Sequence, residues 1–164
     1  MFDSPETLEA IFSACGALAM LGWAGLVLLP RLPLVVNVLA GLVIPGIIGL
    51  VYLTLMVSNI DQTPADGGFG SLAGVKALFA VDALLLGGWV HYLAFDLFVG
   101  AWEVRDAQRS GVHHLLVIPC LLATFMAGPA GLVLYLLLRT AKQMFTTDQA
   151  TDQATDQGTE VQPS

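Results

Sequence analysis

The chain reads as an all-α, polytopic membrane protein with four transmembrane helices and a short interfacial or re-entrant helix before the third. Three observations lead there. Hydrophobic residues make up 56% of the 164 and charged residues 12%, against about 25% charged in soluble domains. Mean hydropathy is +0.77. The apolar residues lie in runs long enough to cross a bilayer, separated by short polar or proline-bearing connections.

The first run, Leu8 to Leu29, has Ser4 or Thr7 to cap its start and Pro30 to end it. Two small-xxx-small pairs, Ser13–Ala17 and Cys15–Ala19, the second extended by Gly22, suit close helix contact. The Pro30–Pro33 turn is so short that the second run, Leu34 to Val57, must return antiparallel. Pro45 predicts a kink inside it, and Asn37 is expected to bond a neighbouring helix. A polar loop, SNIDQTPADGGFG, follows. Leu72 to Ala80 reads as the short helix, with a break near Val81–Asp82, and the third span runs from Ala83 to Ala107 with Asp82 as its cap. The fourth run, His113 to about Leu138, is interrupted at Gly128–Pro129. One kinked span is the simpler reading; a reversal there is the alternative. The single span leaves Arg139 and Lys142 on the side opposite Arg31, Arg105 and Arg109, against the positive-inside rule, and a reversal removes that conflict.

Net charge is −7. Four of the acids, Asp148, Asp152, Asp156 and Glu160, fall in a repetitive tail without a base. Residues 1–145 are therefore expected to form the membrane domain and 146–164 a disordered acidic tail. No basic run or basic amphipathic helix marks a nucleic-acid partner. Cys15 and Cys120 form no CxxC pair and lie within apolar runs, where they read as small buried hydrophobes. The acidic N-terminus lacks the basic region of a signal peptide, so the first run reads as a retained helix.

The third span carries the chemistry. It holds His91, Asp96 and Glu103, and an Asp at the centre of a membrane helix costs about +2.5 to +3.5 kcal/mol on translocon scales. Such groups are kept when they are paired, pocketed or used. Asp96 and Glu103, seven residues apart, fall within about 20° of each other on a helix, but about 10 Å apart along it. Tyr92, Asp96, Gly100 and Glu103 form one stripe, with Trp89 at its upper end and Gly100 leaving room for a partner helix or ligand. His91 points about 140° away from Asp96 and shares its face with Phe95, Phe98 and Trp102. These residues nominate His91, Asp96 and Glu103 as catalytic. Trp89, Tyr92, Phe95, Trp102, His113 and His114 are nominated as ligand-binding. A carboxylate beside His113 or His114, where Glu103, Arg105, Asp106 and Arg109 bracket a tight turn, is a usable proton-transfer pair, and also an ordinary interfacial ion network. No HxxxH or ExxH pair exists, so no metal site is expected. No cofactor is implied.

The runs GGFGSLAGVKALF, GWVHYLAFDLFVGAWEVRDAQ and HHLLVIPCLLATFMAGPAGLVLYLLLR resemble the abscisic-acid-deficient-type membrane proteins, which include plant proteins required for neoxanthin formation and many bacterial members. The resemblance covers about Leu8 to Arg139, and WVHYLAFDLF is its most specific part. It implies a small multi-pass protein, in a bacterial inner membrane for a bacterial member, acting on a carotenoid or related isoprenoid lipid. The plant conversion opens an epoxide and removes a proton to leave an allene, so it needs acid and base without net redox change. A non-catalytic scaffold for other membrane enzymes and a small transporter are the alternative readings. The bilayer, an isoprenoid ligand and membrane-protein partners are the expected contacts.

Overall fold

The computed structural model describes residues 4–159, with side chains for 4–144. Its elements are α1 (Pro5–Leu28), α2 (Leu34–Ser58), α3 (Leu72–Leu78), α4 (Asp82–Arg109) and α5 (His114–Thr159), with no strand among the described residues. Four stretches are long and apolar enough to cross a membrane: Pro5–Leu28, Leu34–Ser58, Asp82–Arg109 and His114–Met144. Large apolar side chains crowd the exterior, Leu28 and Leu50 being 74% and 65% exposed, as on a surface that faces lipid. The expectation for the acidic tail falls outside the residues whose side chains are described.

The contacts divide the chain into two units, residues 1–102 and 103–164. In the first, Ser4 caps α1 by accepting the Thr7 amide, with Pro5 in the first turn, where its missing N–H costs nothing. Cys15, Ala19, Gly22, Trp23 and Leu26 form the buried face of α1, so the Cys15–Ala19–Gly22 ridge is the packing ridge. Ser13 and Ala17 point outward instead. Two close approaches join α1 to α4: a Cβ on Gly22 would meet Leu97 at 2.6 Å, and one on Gly100 would meet the Trp23 ring at 2.7 Å. The space expected at Gly100 is thus filled by the Trp23 indole.

The first part of α2, Leu34–Val43, winds as a π-helix before the α-helical turns from Ile44. Pro45 explains this: its ring excludes the carbonyl four residues back, and the wider winding moves that carbonyl aside. Asn37 is exposed. It lies on the outer side of α2, not at the helix contact expected for it, because Val36 and Ala40 take the buried face. At the other end Asn59 is wholly buried. It donates to the Leu55 carbonyl and accepts from Gln62, both at 2.8 Å, closing the C-terminus of α2. Ser71 caps α3 through the Gly74 amide, and α3 ends two residues short of the expected boundary.

The second unit holds the end of α4 and α5. Its length and composition suit a span, but α5 is not one helix. Ala127 (φ −155°, ψ 47°) and Gly128 (φ 11°, ψ −81°) break it, with Pro129 opening the next turn. Gly131 lies directly against the backbone of Thr124. A continuous helix would hold residues seven apart at about 10 Å. The chain therefore folds back at the break, which corrects the single kinked span and matches the reversal. Glycine at 131 permits the approach, since any Cβ there would overlap Thr124.

Candidate functional site

In the first unit, α2, the loop after it, α3 and α4 line a half-open cavity of about 540 Å³. Its wall is built from Tyr52, Met56, Leu78, Phe79, Leu84 and His91, and Thr63, Gly68 and Phe69 also line it. The backbone comes close at its edges. A Cβ on Gly87 would overlap Met56, and one on Gly88 would sit 3.1 Å from the Phe79 ring. Glycines here let side chains from α2 and the residue after α3 lie flat on α4. The volume is within the range of small-molecule sites, and the lining has their usual character: mostly apolar, with a few polar groups.

His91 is exposed toward this space. Its ring lies 5.6 Å from that of Tyr52 and 4.6 Å from that of Phe95. An imidazole thus stands in an aromatic wall, as its shared face with Phe95 leads one to expect. Tyr52, Met56 and Phe79 come from elements that sequence reasoning did not connect to His91. They had no local signal, because each is one apolar or aromatic residue among many.

Asp96 does not line the cavity. Tyr92 gives its carboxyl a side-chain hydrogen bond, and no hydrogen bond reaches its shielded Oδ2 among the described residues. Trp89 stacks on Phe12 at 5.7 Å and on Tyr92 at 5.5 Å. This aromatic ladder borders a second cleft of about 400 Å³, lined by Leu8, Phe12, Leu85 and Trp89, with the carboxylates of Glu9 and Asp82 also on its wall. Trp102 is half-buried at the end of the unit. The nominated residues therefore separate: His91, nominated as catalytic, lines the cavity with the ligand nominee Phe95 on its ring, while Trp89 and Tyr92 belong to the ladder.

Glu103 lies in the second unit, wholly buried. The Thr124 hydroxyl donates to its Oε1 at 2.8 Å. One turn on, Asp106 Oδ2 accepts from the Tyr135 hydroxyl at 2.6 Å and pairs with Arg139 Nε at 2.9 Å. Thr124 and Tyr135 are themselves wholly buried. The His113 ring accepts the Leu115 amide through Nδ1 at 3.4 Å, so it caps α5; His114 is half-buried beside it. Sequence reasoning missed Thr124, Tyr135 and Arg139 as partners. A signal existed, for Tyr135 and Arg139 are four residues apart on one helix face. No group of three or more His, Cys, Asp or Glu among the described residues has metal-binding geometry.

Residues 10–135 match the family model described as ABA DEFICIENT 4-like. No curated protein and no solved structure matches the chain.

Proposed function

The chain belongs to the ABA DEFICIENT 4-like family, and from that premise we propose that it binds an isoprenoid-class lipid, a carotenoid foremost, in the cavity bordered by His91. Family membership and helices long and apolar enough to cross a membrane fit a multi-pass membrane protein. The observation that carries the reading is the cavity itself: about 540 Å³, aromatic and aliphatic, with the imidazole of His91 on its wall. That volume is too small to enclose a whole carotenoid and ample for one cyclic end group. The polyene would lie along the exposed apolar surface of the helices. Lipid is already the solvent there, so little desolvation opposes entry.

Acid–base isomerisation extends the same reading. An imidazole carries both a donor and an acceptor nitrogen, and Tyr52, whose ring lies 5.6 Å from that of His91, brings a hydroxyl as a second donor. His91 is the group placed to act on a bound ring. Asp96 lies on the ladder side of α4, where it meets Tyr92. Glu103 is bonded to Thr124 in the second unit.

The test is expression in a carotenoid-producing host, followed by absorbance and chromatography of the lipid that copurifies in detergent. The wild type should carry pigment. Gly88→Val, which crowds the Phe79 ring on the cavity wall, should reduce the pigment at least tenfold at equal folded yield. Retention of the full amount by Gly88→Val contradicts the cavity assignment. Converted pigment in the wild-type preparation supports isomerisation; bound but unchanged pigment restricts the protein to carriage or scaffolding.

A further inference from the structure

The fold-back of α5 gathers charges that the sequence scatters. Thr124, before the break, bonds Glu103; Tyr135 and Arg139, after it, reach Asp106, one turn nearer the C-terminal end of α4. A straight α5 running antiparallel from the turn at 110–113 would carry Arg139 more than about 20 Å beyond Thr124, away from Asp106. Instead Arg139 returns to the end at which α5 began. The first half, residues 114–126, measures about 20 Å as a helix, against about 30 Å of bilayer hydrocarbon. It is too short to cross before the chain reverses.

We propose that residues 114–144 form a re-entrant hairpin with both ends on one membrane face, and that Arg105, Arg109, Arg139 and Lys142 form there a basic collar for anionic phospholipid head groups. The hairpin is latched at its base by Asp106, which holds Tyr135 and Arg139 together. Charge complementarity selects the partner. Within residues 103–144 the carboxylates are Glu103, bonded to Thr124 inside the unit, and Asp106, paired with Arg139. The four cations therefore outnumber the acids, and Arg109 and Lys142 are exposed. Basic side chains at a membrane surface attract anionic head groups additively. No linear basic run betrays this collar, because its two halves lie some thirty residues apart (Arg109 and Arg139 by number). The collar also settles the positive-inside conflict, since Arg139 and Lys142 join Arg105 and Arg109 on one face.

The test uses the full chain in bacterial membrane vesicles of both orientations, with Cys15→Ala and Cys120→Ala removing the native thiols. Single cysteines at Ser110→Cys and Thr140→Cys are probed with a membrane-impermeant maleimide. Labelling of both from the same side is the expected result; labelling from opposite sides overturns the hairpin. Alkaline phosphatase and fluorescent-protein fusions after residue 110 and at the C-terminus give the same answer without the cysteine background. The collar is read in nanodiscs of phosphatidylcholine with and without phosphatidylglycerol. The anionic lipid should raise Tm by roughly 4 °C, and Arg109→Gln with Lys142→Gln should abolish the rise. No rise, or one that survives the double substitution, overturns the collar.

Discussion

The two units differ in what faces two of their polar groups, the carboxylate of Asp106 and the imidazole of His91. In residues 103–144 the polar groups reach one another: Thr124 bonds Glu103, and Asp106 holds both Tyr135 and Arg139. In residues 1–102 the imidazole of His91 faces open space, with aromatic rings for neighbours. The first arrangement is what a fold requires of groups buried without water. The second leaves polar capacity directed at a cavity, which a fold alone does not require. Comparing them separates acidic groups that hold the chain together from the group best placed to meet a ligand.

The sharpest way to break this contrast is at the latch. Asp106→Leu removes two contacts and leaves Arg139 facing Tyr135. Breaking a buried pair costs about 3–5 kcal/mol; with the Arg139 side chain 35% exposed, about 2–3 kcal/mol of destabilisation is expected by denaturant unfolding in detergent. A loss below half a kcal/mol would show that the latch contributes little. Gly131→Val is expected to come next, at about 1–3 kcal/mol, because a side chain there overlaps Thr124 and the two halves of α5 must part; unchanged stability would refute the close approach. Thr124→Val should cost about 1–2 kcal/mol by removing the donor to a buried carboxylate, with Thr124→Ser recovering most of it. The smallest effect is expected at His91. Replacement by Leu should change stability by less than about 0.5 kcal/mol. A loss comparable to that of Asp106→Leu would place His91 among the structural groups.

Much of the fold was legible because bilayer physics restricts the options. Helix ends followed from Ser4, one of two candidate caps, and from Pro30 as a stop, and the start of α4 fell at Asp82 as expected; the Ser71 cap of α3 was not read from the sequence. The π-helical start of α2 was not legible, since proline announces a perturbation without specifying its form. The reversal in α5 was legible only as one of two readings of Gly128–Pro129. The bonds from Asp106 to Tyr135 and Arg139 decide between them, and those bonds exist only after the chain has turned. Similarly, His91 stood out as a polar residue in an apolar run. Its cavity did not, because Tyr52 and Phe79 carry no sign of their tertiary neighbour. The helical wheel correctly set His91 and Asp96 on different faces. It was silent on Trp23, which occupies the gap left by Gly100.

The account turns on whether His91 meets a lipid ligand while the polar groups of the second unit serve the fold. The direct measurement is retention of a carotenoid by the wild type, His91→Leu and Thr124→Val, each reconstituted in nanodiscs and monitored by visible absorbance at equal protein concentration. The account predicts retention by wild type and Thr124→Val and loss of at least tenfold in His91→Leu. Equal retention by all three, or loss confined to Thr124→Val, would contradict it.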